Sequence, residues 1–235
     1  MKIRILTVLI GLLLSNLSLS AKAYLVSVGI ADYPGKENDL RISDTDAQTI
    51  ANIYQKSGAD ISLLTNEDAK QSAILSAMHT TFLNAETDDT VILFFSGHGM
   101  PGELVCYDGC LPYENILAMF KGCAATKKIV IIDACYSGKM RTSKQKSQKH
   151  DNQDVMFFLS SRTNEKSQES KFKNSLFTIF LERGLRGGAD NNRDRIITAR
   201  ELYDFVHDGV TEASGGKQHP VMWGNFDNDM TVIKW

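Results

Sequence analysis

Two apolar runs that each end in a reactive side chain, with helical patterns lying between the runs, predict an α/β fold: a mainly parallel sheet with helices on both faces. The first run is VILFF at residues 91–95, closed by Ser96, Gly97, His98 and Gly99. The second is IVII at residues 129–132, followed by Asp133, Ala134 and Cys135 and ending at Gly138. Continuous apolar runs of this length, the second rich in β-branched residues, suit strands buried on both faces, as in a parallel sheet. Open sheets of that kind place their chemistry in the loops beyond the carboxyl ends of the strands. A thiol and an imidazole at two such ends form the minimum apparatus for acyl transfer.

The rest of the chain follows the same alternation. Residues 24–30 (YLVSVGI) form a first strand, and Ala31, Asp32, Tyr33, Pro34 and Gly35 form a turn cluster. Across residues 40–57, Ala47, Ile50, Ala51 and Tyr54 recur at helical spacing. Residues 61–64 are a short strand. Residues 68–83 are a second helix, with Ile74, Leu75, Met78 and Phe82 on one face. Tyr107, Asp108 and Gly109 make a tight turn between Cys106 and Cys110. Pro112 opens a helix that runs to Phe120. Residues 154–159 (DVMFFL) return to the sheet. Residues 175–186 are a helix with Leu176, Ile179, Phe180 and Leu185 facing inward, and residues 231–235 (TVIKW) form a last strand.

Composition bounds the function. The chain has 235 residues, 43% of them hydrophobic, and only 4 prolines, which suits one sizeable core. A formal charge of −2 gives no basis for a nucleic-acid or anionic-membrane partner. Lys2 and Arg4, the apolar stretch 5–14 and the Ala21-Lys22-Ala23 pattern predict a secretory signal peptide over residues 1–23. The stretch falls short of the ~20 residues of a spanning helix, so stable membrane insertion is not expected. The product is an exported chain, periplasmic or extracellular, with its folded domain at 24–235. Export permits disulfides among Cys106, Cys110, Cys123 and Cys135. A Cys106–Cys110 bridge and a pair of reduced, half-buried thiols both stay open.

Two polar segments carry two readings each. Residues 139–153 (KMRTSKQKSQKHDNQ) hold one apolar residue and six basic ones counting His150, the composition of a solvated loop. Asp190, Asn191, Asn192, Arg193 and Asp194 look like the start of a calcium loop with Glu201 at its twelfth position, but Arg195 stands where that loop wants glycine. The other reading is a polar turn, with Thr198 and Glu201 forming a capping box. No cofactor is otherwise expected, and no metal ligands are assigned.

The motifs SGHG and DACYSG, in this order, resemble those of the caspase-like cysteine peptidases, including metacaspases and their bacterial relatives. Looser support lies at Asp46-Ala47, at residues 175–190 and in the closing run from Gln218, so the resemblance spans residues 24–235. The spacing from His98 to Cys135 is 37 residues, shorter than the roughly 50 of caspases. The resemblance implies a three-layer sandwich around a six-stranded, mainly parallel sheet. It implies Cys135 as nucleophile, His98 as acid and base, and the amides of Gly99 and Cys135 as the oxyanion donors. It places Asp46 and Ser96 in one pocket, and Asp133, two residues before the nucleophile, adds a second acid there. Animal caspases line this pocket with arginine and cut after aspartate. No matching basic set is present, so the expected reaction is hydrolysis of protein or peptide substrates after Arg or Lys. Lys139, Arg141, Lys144, Lys146 and Lys149 then become candidate self-cleavage points, or remain parts of a plain loop. Resemblance to metacaspases implies a monomer. The alternatives are another His/Cys α/β peptidase, clostripain-like or legumain-like, and an inactive caspase-like scaffold.

Overall fold

The computed structural model describes residues 21–134, 155–161 and 173–235. In chain order it runs through β1 (Ala23–Gly29), α1 (Ser43–Lys56), β2 (Asp60–Thr65), α2 (Gln71–Phe82) and β3 (Thr90–Ser96). A small excursion follows, β4 (Gly99–Met100), β5 (Glu103–Cys106) and β6 (Gly109–Pro112), then α3 (Tyr113–Lys121) and β7 (Lys127–Asp133). The remaining elements are β8 (Val155–Leu159), α4 (Leu176–Arg183), β9 (Ile196–Thr198), α5 (Ala199–Ala213), β10 (Val221–Gly224) and β11 (Thr231–Lys234). Among the described residues, no helix is long and apolar enough to cross a membrane.

Six strands form the main sheet in the order β10-β8-β7-β3-β1-β2. The β2–β1, β1–β3, β3–β7 and β7–β8 pairs are parallel, and only β10 runs antiparallel. The sheet is the expected one, buried through β1, β3, β7 and β8. Strand alternation splits its side chains into two cores. Val26, Val28, Val91, Leu93, Phe95, Val130 and Ile132 pack with α2 and α3 through Ile74, Met78, Ile116 and Phe120. Leu25, Ile92, Phe94, Ile129 and Ile131 pack on the other face with α1, α4 and α5 through Ile50, Tyr54, Phe177, Leu181, Leu202 and Val206. The result is the three-layer sandwich that the motifs implied.

Four details depart from the sequence reading. The inward face of α4 carries Phe177 and Leu181, with Leu185 just beyond the helix, whereas Leu176, Ile179 and Phe180 are only partly buried. Phe177, Leu181 and Leu185 recur every four residues and make one stripe in the core, while Ser175 caps the helix through the Thr178 amide. Pro112 ends β6 as the N-cap residue of α3 rather than lying in its first turn. The sixth strand of the sheet is β10, a four-residue segment too short for periodicity to reveal, and β11 instead pairs with β9 in a separate ribbon. The small sheet β4-β5-β6 was anticipated only at its Tyr107-Asp108 turn.

Candidate active site

The site is assembled where β3 and β7 end side by side. Their register pairs Ser96 with Asp133, and the Gly97 amide donates to the Asp133 carbonyl at 3.1 Å. Ser96 and Asp133 share the parity of Phe94 and Ile131, so both side chains point to the face covered by α1 and α4. The amino ends of those two helices meet them there. Gly29, the last residue of β1, makes the approach of α1 possible: a Cβ at this position would lie 2.2 Å from the Ser43 carbonyl oxygen. Asp46, in the first turns of α1, thereby reaches the end of β3.

A buried polar network ties these pieces together. Ser96 Oγ donates to Asp46 Oδ2 at 3.0 Å. Asn174 Nδ2 and the Ser175 amide donate to Asp46 Oδ1 at 2.9 and 3.0 Å. Ser175 Oγ donates to Asp133 Oδ2 and accepts the Thr178 amide at 3.0 Å. Both carboxyls are almost inaccessible, Asp46 at 0% and Asp133 at 4% exposure. Burial is the main reason that the Asp46 carboxyl is raised to about 7, and the neighbouring Asp133 charge adds to it. The donors from Asn174, Ser175 and Ser96 pull the other way without cancelling the rise.

His98 stands at the next turn of the chain. Its Nε2 lies 2.7 Å from the Asn38 carbonyl oxygen. A carbonyl only accepts, so Nε2 carries a hydrogen in this contact. The imidazole packs on the Tyr33 ring at a centroid distance of 4.9 Å. Gly99 opens β4 opposite Leu104, so the backbone after His98 is held as a strand. Among the sequence-predicted residues, the structure joins Asp46, Ser96 and Asp133 through one buried hydrogen-bonded network and places His98 and Gly99 just past the end of β3. Cys135 and the loop residues Lys139, Arg141, Lys144, Lys146 and Lys149 lie outside the described residues.

Sequence reasoning missed Asn174, Ser175, Asn38 and Tyr33. An Asn-Ser pair just before an apolar periodic run is a helix-start signal that could have pointed to α4's cap. Asn38 acts through its carbonyl, and no side-chain pattern reports that. The two open questions also acquire geometry. Val105 faces Cys110 and Cys106 faces Gly109 across the β5–β6 hairpin, so the two thiols point to opposite faces; both are free. Thr198 and Glu201 do form a capping box on α5. Asp190, Asn192 and Asp194 accept the backbone amides of their own turn. Among the described residues, no group of three or more His, Cys, Asp or Glu side chains could hold a metal ion.

A mostly parallel six-stranded sheet between two layers of helices, with His98 just past β3, Asp133 at the end of β7 and Asp46 on α1, defines the class of three-layer α/β proteins. The caspase-domain family matches residues 22–230, and the chain belongs to it. Membership of this peptidase family supports cysteine-peptidase chemistry in general terms. No curated protein sequence matches the chain. Similar solved structures include a protein from Geobacter sulfurreducens, 18% identical with a TM-score of 0.68, covering 91% of this chain and 97% of that one. They also include caspase-1 from Spodoptera frugiperda, 17% identical with a TM-score of 0.68, covering 91% of this chain and 90% of that one. At these identities the likeness is one of fold.

Proposed function

We propose that the chain is an exported cysteine endopeptidase that cleaves after Arg or Lys. The observation that carries the specificity is the buried Asp46–Asp133 pair beside His98, with Asp46 raised to about 7 by burial and by its neighbour. A guanidinium or ammonium entering this pocket replaces a repulsive pair of acids with charge-assisted hydrogen bonds. An acidic side chain would add a third negative charge to a desolvated site. Ser96, Asn174 and Ser175 hold the two acids in fixed positions, which supports this reading.

In this reading His98 Nδ1 takes the proton of the Cys135 thiol, and the sulfur attacks the carbonyl carbon of the basic residue. The Gly99 and Cys135 amides stabilise the oxyanion. His98 returns the proton to the leaving amine as the C–N bond breaks, which leaves a thioester. Water then adds with His98 as base, and the thiol is restored. The Asn38 carbonyl holds Nε2–H throughout and stabilises the imidazolium that forms between the steps. Export rests on residues 1–23, and self-cleavage at Lys139, Arg141, Lys144, Lys146 or Lys149 follows from the same preference for basic residues.

A thiol-reactive arginyl peptide mimic tests the reading. One equivalent should attach to Cys135, located by peptide mass spectrometry, with labelling slowed in His98→Gln and abolished in Cys135→Ala. Equal labelling by an aspartyl mimic, or none at Cys135, would overturn it. Intact-mass measurement of active enzyme and of Cys135→Ala tests self-cleavage; an uncut loop in active enzyme removes that part.

A further inference from the structure

We propose that Tyr33 is a positioning residue for His98, acting through its hydroxyl, an inference that rests on His98 being the acid and base. Tyr33 lies in the turn after β1 and is 5% exposed. Its Oη accepts the His98 amide at 2.9 Å and donates to the Val105 carbonyl at 3.1 Å. The Val105 amide donates back to the His98 carbonyl at 3.0 Å. These three bonds close a ring: His98 N–H to Tyr33 O–H to Val105 C=O, and Val105 N–H to His98 C=O. One phenol thus locks the backbone on both sides of His98 to β5.

The same loop grips the residue at a second point. Tyr33's ring packs on the imidazole at 4.9 Å, and Asn38, five residues later, takes Nε2–H on its carbonyl at 2.7 Å. The loop is itself tied down, since the Tyr33 amide donates to Asp39 Oδ1 and the Leu40 amide to the Ala31 carbonyl. The neighbouring sequence makes room for the hydroxyl: a Cβ on Gly97 would lie 2.6 Å from Tyr33 Oη. The glycine of the SGHG motif is thereby explained in part by the phenol it admits. A residue needed only for packing would use its ring. Here one hydrogen bond of the hydroxyl goes to the His98 amide and the other to Val105, the β5 residue whose amide donates to the His98 carbonyl, and burial keeps the phenol protonated as a donor.

Tyr33→Phe keeps the ring and removes only the two bonds, so it separates positioning from packing. The full chain and its Phe and Leu variants are compared by 15N NMR of the His98 imidazole, assigned with His98→Gln, and by kcat, KM and pH profile on an arginyl peptide. Tyr33→Phe should weaken or shift the Nε2–H resonance and lower kcat ten- to a hundredfold, the scale of a small misplacement. KM should stay within about twofold and the melting temperature close to wild type. Tyr33→Leu, which also removes the ring, should lose more. An unchanged His98 spectrum with wild-type kcat in Tyr33→Phe overturns the proposal. So does a fall in kcat that tracks lost stability while the His98 spectrum stays put. If wild-type protein turns over no peptide, the peptidase reading fails separately, and the His98 spectrum of Tyr33→Phe alone decides: a shift supports positioning, identity overturns it.

Discussion

Asp46 occupies a place that opposes its own charge, and this has consequences for stability and for pH dependence. Its carboxyl is raised to about 7, against an ordinary value of 3.8. Between those values the folded chain keeps a proton that the unfolded chain has released. Asp46's contribution to stability is therefore full below about pH 4, falls as pH rises towards 7, and is level above it. Asp46→Asn removes that loss while leaving an amide oxygen for Asn174 and the Ser175 amide. The variant should gain stability over wild type at pH 8 and little at pH 4, read from denaturant unfolding at both values. It should also lose most of its activity on arginyl peptides. The ratio of kcat/KM for Arg over its uncharged isostere citrulline cancels the titration of His98. That ratio should climb about tenfold per unit below pH 7 and level off above it. A ratio independent of pH would detach Asp46 from substrate recognition. Asp46 and Ser96 were named through the resemblance to metacaspases, and Asp133 through its place two residues before Cys135. Asn38 was not legible, because a backbone carbonyl is the same in every residue.

At the scale of elements, the pocket depends on how closely α1 and α4 approach the sheet. Gly29 lets α1 sit against the end of β1, and a methyl there would meet the Ser43 carbonyl at 2.2 Å. Gly29→Ala should cost about 1–3 kcal/mol through overpacking and should lower the Arg-over-citrulline ratio, because α1 carries Asp46 away from Ser96. The α5 capping box provides the contrasting case. Thr198→Ala removes the bonds between Thr198 and Glu201 and should cost about 1 kcal/mol, read as a lower midpoint in denaturant. It lies on the β9–β11 side of the molecule and should leave kcat/KM unchanged. Long apolar strands and regular helices were readable from periodicity. β10 was not: it has four residues, and it is a strand because its backbone pairs with Phe157, Phe158 and their neighbours across β8. The inward face of α4 was misread for a related reason. Leu176, Ile179 and Phe180 are as apolar as Phe177 and Leu181, and only packing against β8 and α5 decides which of them face the core.

The main sheet separates two cores, and the candidate site lies at the carboxyl ends of its two central strands. Phe94 is fully buried under α1, α4 and α5, two residues before Ser96. Phe94→Ala should cost about 3–5 kcal/mol and should also loosen Ser96 and Asp133, because the pocket shares its floor with that core. Fold class was legible early because strand-helix alternation and two all-apolar runs leave few other architectures. The site was legible as a set of residue types at strand ends. Its geometry was not, since it depends on two helix amino ends converging over β3 and β7. The central claim is that paired acids beside His98 select a basic residue for attack by Cys135. Hydrolysis of matched fluorogenic peptides ending in Arg, Lys or Asp, by protein lacking residues 1–23, with and without calcium, tests it most directly. The account predicts turnover of the Arg and Lys peptides that vanishes in Cys135→Ala and falls at least tenfold in Asp46→Asn. Turnover of the Asp peptide alone, or activity that survives Cys135→Ala, would contradict it.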